Sequence, residues 1–163
     1  MAIDEMGFMV TRTRVGDNHV SEELKKGGDF GGEPSGSWIF PGSSLCPDGI
    51  YAAARLVTIA SRQRLSGLVD SIPGYPLLRG SVTGEGVALS DLEKQLLALE
   101  PLSVNGIDGI KLSFKDGWLL VRASGTEPKI RITAEAESEL RVHQLYDRGV
   151  GIIEECLKGG KEE

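Results

Sequence analysis

The sequence predicts an α/β segment followed by an α+β segment. Two observations predict this. Up to residue 72, short apolar strand-like runs alternate with helical stripes, which argues a layered α/β arrangement. Beyond the Pro73-Gly74-Tyr75-Pro76 break, the pattern becomes a helix, three strand signals in succession and a final helix. Two prolines and a glycine end the preceding helix and suit no strand ladder. The expected division is therefore residues 1–72 and residues 73–163, the second beginning with a hinge.

The first segment opens on Met1 to Met6, which reads as the last turn of a helix closed by Gly7 and suggests an element that starts earlier. Phe8-Met9-Val10-Thr11-Arg12 reads as a strand, being apolar and β-branched. Val15-Gly16-Asp17-Asn18 turns into a helix over about 20–26, stopped by Gly27-Gly28, and Phe30 is a brief strand. Trp38-Ile39-Phe40 is the next apolar strand. Asp48 is placed to cap a helix reaching about residue 62, with Ile50, Ala53, Ala54 and Val57 as its core stripe. Ser66 is placed to cap a shorter helix burying Leu68, Val69 and Ile72.

In the second segment a loop runs through Gly80 to Gly86. Ser90-Asp91-Leu92-Glu93 is a capping-box pattern opening a helix to about residue 99. Ile110-Lys111-Leu112-Ser113-Phe114 alternates strictly, Asp116-Gly117 makes a hairpin turn, and 118–122 returns as the partner strand. Residues 129–133 form a third strand, with Ile130 and Ile132 on one face and Arg131 on the other. Ser138 caps a last helix whose stripe is Val142, Leu145, Tyr146, Val150, Ile153 and Leu157, weakened by Gly149 and Gly151. The tail from Gly159 should fray.

Composition narrows the function classes. A net charge of −6 disfavours nucleic acid or an anionic membrane as the main partner, so any anion site must be a focused local patch. Arg12, Arg14, Lys25 and Lys26 lack the interleaved aromatics of a single-strand binder. No signal peptide and no membrane-spanning run is visible, and Cys46 and Cys156 read as two reduced thiols, which fits a cytoplasmic protein. His19 and His143 are isolated, so no metal-ligand spacing exists.

Two loops carry chemistry. Arg122-Ala123-Ser124-Gly125-Thr126-Glu127-Pro128-Lys129-Ile130-Arg131 packs two guanidinium forks, two hydroxyls and a glycine between apolar strands. Guanidinium donors match phosphate oxygens two at a time, and a glycine-containing turn presents backbone N–H groups to an anion. A phosphate loop and a polar turn with its arginines solvated or paired to Glu127 and Glu135 both fit. Gly31-Gly32-Glu33-Pro34-Ser35-Gly36-Ser37 surrounds one carboxylate with glycines and hydroxyls. Glu33, an acceptor, suits sugar hydroxyl donors; a plain connection with Glu33 in solvent fits as well.

Taken together, these loops, with Pro47-Asp48-Gly49-Ile50-Tyr51-Ala52-Ala53-Ala54 between them, resemble the α-D-phosphohexomutases, the superfamily of phosphoglucomutase, phosphomannomutase and phosphoglucosamine mutase, and most closely their archaeal-type members. The resemblance runs in the correct order over nearly the whole chain. It implies the C-terminal part of a four-domain enzyme: an N-terminally truncated third domain that binds sugar, then a TATA-binding-protein-like α+β domain that binds phosphate. On matching positions it implies sugar contacts from Glu33, Ser35 and Arg14, and phosphate contacts from Arg122, Ser124, Gly125, Thr126 and Arg131. The family interconverts hexose 1-phosphate and 6-phosphate through a phosphoserine and a bisphosphorylated intermediate, with Mg2+. Neither the phosphorylatable serine motif nor the aspartate-rich magnesium motif occurs here, and Ser37 stands where many relatives carry His. No catalytic residue and no metal ligand is therefore expected in this chain, which alone should be inactive. Its expected partners are a hexose phosphate and the missing N-terminal domains, with self-association or partial disorder following from an uncovered sheet edge. A stand-alone, non-catalytic phosphosugar-binding module is the alternative.

Overall fold

A computed structural model describes residues 6–84 and 89–159. The chain divides into two compact units, Met1–Pro73 and Gly74–Glu163.

The first unit holds helix α1 (Asp17–Leu24), strands β1 (Gly31–Gly32) and β2 (Trp38–Ile39), and helices α2 (Gly49–Ala60) and α3 (Leu65–Asp70). Helix α1 starts earlier than expected because Asp17 puts a carboxylate in the first turn, where the helix dipole favours it. Its Val20 and Leu24 bury against Ile39 of β2, and Leu45 packs on that cluster. Strands β1 and β2 pair antiparallel, Gly31 opposite Ile39 and Gly32 opposite Trp38. A run of rings, Phe30 to Phe40 at 5.2 Å and Phe40 to Tyr51 at 5.1 Å, leads from the hairpin to α2. Asp48 caps α2 as expected: its Oδ1 accepts the Tyr51 N–H at 2.8 Å.

Three expectations for this unit are corrected. The Phe8 to Arg12 run is not a strand, because none of the described strands lies beside it to complete a ladder. The stripe on α2 is bare: Ile50 is 88% and Val57 70% exposed, and Ala52 alone of this helix is buried. Helix α3 buries none of its residues and receives no side-chain cap from Ser66. The helix tail expected at Met1 to Met6 falls mostly outside the described residues.

The second unit holds β3 (Leu77–Thr83), α4 (Leu89–Leu97), β4 (Ser103–Asn105), β5 (Ile110–Phe114), β6 (Gly117–Ala123), β7 (Lys129–Ala136) and α5 (Glu139–Gly159). The five strands form one antiparallel sheet in the order β3-β7-β6-β5-β4. Period-two alternation sends Ile110, Leu112, Leu119, Val121, Ile130, Ile132, Ala134 and Ala136 into one core with Leu92 and Leu96 of α4 and Val142, Leu145 and Ile153 of α5. The opposite face carries Lys111, Trp118, Arg122, Arg131 and Glu135. There Lys111 Nζ stacks 4.4 Å from the Trp118 ring, and the Trp118 indole N–H donates to Glu135 at 2.9 Å. Ser138 caps α5, its Oγ accepting the Arg141 N–H at 3.3 Å.

Two strands escaped the sequence reading. Strand β3 replaces most of the expected loop before Gly86; it was masked by Arg79, Gly80 and Ser81, and its ladder with β7 runs from Leu77–Glu135 to Thr83–Lys129. Strand β4 has a single apolar residue, Val104. The hairpin loop is Lys115-Asp116, since Gly117 already pairs with Phe114. Helix α4 includes Ser90, so Ser90 is not its cap; residues 85–88 lie outside the described residues. Gly149 does more than weaken α5, because a Cβ there would come within 2.6 Å of Ile132 and 3.1 Å of Leu119.

Leu119 is fully buried at the centre of the sheet. Leu119→Ala should destabilise this unit by about 2–5 kcal/mol, lost transfer energy plus a cavity, read by urea titration of Trp118 emission in a Trp38→Phe background. Burial, with Asp91 and Glu155 nearby, pushes the Cys156 thiol above its ordinary range, whereas Cys46 is exposed. The native protein should therefore show one fast-reacting thiol with a disulfide reagent at pH 8. The second should react only as the protein unfolds. Because the raised value disfavours the thiolate in the fold, the Cys156 contribution to stability is complete below the unfolded thiol range and declines as pH rises through and above it.

Candidate functional site

The β1–β2 hairpin presents the first loop. The Glu33 N–H donates to the Ser37 carbonyl at 3.0 Å and the Gly36 N–H to the Glu33 carbonyl at 2.9 Å, closing a tight turn with Ser35 exposed at its tip. Helix α1 rests directly on this hairpin at Gly31, where a Cβ would come within 2.5 Å of Val20 and 2.8 Å of Leu24. That close approach brings the start of α1 to the loop. The Gly16 N–H then donates to Glu33 Oε1 at 2.7 Å, a charge-assisted bond that fixes the carboxylate. The Arg12-Thr13-Arg14 stretch leads into this contact, with Arg14 exposed two positions before Gly16. The structure thus joins the Glu33 loop to the turn that follows Arg14.

The second loop joins β6 to β7. The register puts Arg122 directly opposite Arg131, both on the face away from the core. Like charges facing each other across a strand pair cost stability unless an anion sits near them. Here the anions are carboxylates. Arg122 Nη1 donates to Asp108 Oδ2 at 2.8 Å, in a pair whose side chains are 25% and 29% exposed. Arg131 Nη2 lies 3.8 Å and Lys129 Nζ 3.1 Å from Glu127. Of the pairings expected for a plain polar turn, Arg131 with Glu127 is present; Glu135 instead takes the Trp118 N–H.

The loop backbone is ordered by three bonds: Ser124 N–H to the Lys129 carbonyl at 2.8 Å, Lys129 N–H to the Glu127 carbonyl at 2.7 Å, and Gly84 N–H to the Pro128 carbonyl at 3.1 Å. Gly125 and Thr126 are exposed, and nothing lies within 4 Å of where a Gly125 Cβ would stand. The Ser124 hydroxyl oxygen is shielded from solvent and has no hydrogen-bond partner among the described residues. Buried hydroxyls are normally satisfied, so this one stands out in the loop. Arg122, Ser124, Gly125, Thr126 and Arg131 are therefore gathered at one end of the polar sheet face. Glu33, Ser35 and Arg14 belong to the other unit.

Among the described residues, no group of three or more His, Cys, Asp or Glu side chains could hold a metal ion. No described helix is long and apolar enough to cross a membrane. Asp108 is the residue that sequence reasoning missed. The signal was available in Asn105-Gly106-Ile107-Asp108-Gly109, a turn string whose position follows from the β5–β6 register.

Comparison with known proteins bears on the whole chain. Residues 1–75 match the model of the phosphoglucomutase/phosphomannomutase alpha/beta/alpha domain III, and residues 86–150 that of the phosphoglucomutase/phosphomannomutase C-terminal domain. A probable phosphoglucosamine mutase of Methanosarcina acetivorans is 48% identical over 163 residues, which cover 97% of this chain and 37% of that protein. One from Methanocella arvoryzae is 47% identical over 156 residues, covering 93% and 36%. A crystal structure of a phosphoglucomutase/phosphomannomutase family protein from Burkholderia thailandensis matches with a TM-score of 0.76 at 25% identity, over 98% of this chain and 34% of that one. The chain thus spans about a third of the length of the relatives it matches. With both domain models matched in order along an α/β fold, the chain belongs to the phosphoglucomutase/phosphomannomutase family and corresponds to its C-terminal portion.

Proposed function

We infer that this chain supplies the sugar-reading and phosphate-holding part of a phosphohexomutase, an isomerase that interconverts hexose 1-phosphate and 6-phosphate, with phosphoglucosamine the foremost substrate because the similar archaeal proteins bear that name. The observation that carries the reading is Arg122 opposite Arg131 beside the unpartnered Ser124 hydroxyl. Two guanidiniums, a hydroxyl and open backbone at Gly125 and Thr126 make a set of donors suited to a phosphate dianion.

Chemistry in such an enzyme passes a phosphoryl group from a phosphoserine to the sugar and returns the other one to the serine. The serine belongs to polypeptide outside this chain, as does any Mg2+ site, so no bond-making step is assigned to the residues described here. Their task is to position. Arg122, Arg131, Ser124, Gly125 and Thr126 grip the phosphate that is not reacting, while Glu33 accepts from sugar hydroxyls, helped by Ser35 and Arg14. Holding the idle end converts substrate binding energy into orientation at the reacting end. Glu33, with one oxygen fixed by the Gly16 N–H, is a rigid acceptor that serves a ring presented in either orientation. Two free thiols suit a cytoplasmic setting. The bare apolar residues of α2, Ile50 and Val57, suit packing against the rest of a longer polypeptide.

Titration of the chain with a hexose 6-phosphate, followed by 31P NMR, should give saturable binding. Arg122→Ala should weaken it about 10- to 100-fold, the loss of a charge-assisted contact; an unchanged affinity would remove the phosphate role. The chain alone should show no mutase turnover, and adding the N-terminal half of a close relative should restore it. Absence of restoration with binding intact would favour the non-catalytic module. In sedimentation velocity the isolated chain should self-associate as concentration rises. Replacing Ile50 and Val57 together by Lys should suppress that association.

A further inference from the structure

We propose that Asp108 is a positioning residue for the phosphate site, holding the Arg122 guanidinium in its binding orientation; this rests on the phosphate role of the β6–β7 loop. Three observations carry it. Arg122 Nη1 donates to Asp108 Oδ2 at 2.8 Å, and both side chains are mostly shielded, so the pair is better insulated than an ordinary surface ion pair. The contact is built into the backbone. Gly109 has φ +85, and a Cβ there would lie 2.5 Å from the Val121 carbonyl and 2.9 Å from Arg122 Cβ. Only glycine lets the β4–β5 turn lie this close to β6, and that closeness delivers the neighbouring residue, Asp108, to Arg122. The turn is itself braced, the Ile107 N–H donating to Asn105 Oδ1 at 2.9 Å.

The geometry distinguishes anchoring from competition. Asp108 engages the terminal nitrogen Nη1 of Arg122, and a guanidinium carries further donors in its fork for a ligand. It reaches Arg122 from the β5 side of β6, whereas Arg131 faces Arg122 from β7 on the other side. A carboxylate on that flank draws the Arg122 guanidinium away from its like-charged neighbour and spares the ligand the entropy of ordering a long side chain.

The test is a double-mutant cycle on the chain, read as the dissociation constant for a hexose 6-phosphate and for inorganic phosphate by 31P NMR, with thermal melting as the control on folding. Asp108→Ala should weaken binding about three- to tenfold. Asp108→Asn, which keeps an oxygen acceptor, should stay within about twofold of the unmodified chain. In an Arg122→Ala background, Asp108→Ala should change nothing further, because its effect passes through Arg122. Tighter binding in both Asp108 variants would identify a competing anion and overturn the proposal. So would an equal loss with and without Arg122, or an unchanged affinity in Asp108→Ala. If Arg122→Ala alone leaves binding intact, the phosphate reading itself has failed and this inference goes with it. If Arg122→Ala is damaging and Asp108→Ala silent, only the inference is lost.

Discussion

The second unit depends on the register between β6 and β7. With a side-chain period of two, pairing Val121 with Ile132 commits both to the core and sends their neighbours Arg122 and Arg131 to the other face. A slip of β7 by one residue would turn the Arg131 guanidinium into the core and Ile130 and Ile132 out of it. The burial of Leu119, Val121, Ile130 and Ile132 beneath α5 therefore enforces the juxtaposition of like charges at the end of the hairpin. Hydrophobic burial of these residues, roughly 1.5–3 kcal/mol each, exceeds the cost of a facing pair of cations, about 1 kcal/mol at most. Packing on one face sets up an electrostatic demand on the other, which Asp108 and Glu127 meet within the chain.

The first unit solves a related problem by different means. A carboxylate in a hairpin loop must be held still if its orientation is to be defined. Glu33 achieves this by accepting a backbone N–H from Gly16, and the small footprint of Gly31 makes the approach of α1 possible. A backbone donor thus orients the carboxylate.

How far the sequence could be read follows from where each element finds its partners. Strands β5, β6 and β7 were legible because their apolar residues alternate without interruption, and the cap of α2 because Asp48 satisfies a local donor. Strand β3 was hidden because its ladder partner lies about fifty residues onward, and its Gly80 is there to accommodate Tyr146 rather than to turn. The stripe on α2 was read as core because periodicity reports which face is apolar, not whether anything covers it. Residue type alone left both loops open between a ligand site and a plain polar connection. The Arg122 partner was not legible: Asp108 is remote in sequence, and assigning it requires counting registers back from the β5–β6 hairpin.

The far edge of the sheet has a separate consequence. Strand β4 is only three residues long, Ser103–Asn105, and every one of them is exposed. An edge this short offers few unpaired backbone groups for a foreign strand to template on, and its two polar residues leave little apolar surface to reward the attempt. The domain thereby guards its open margin against fibrillar growth by brevity instead of by a covering element.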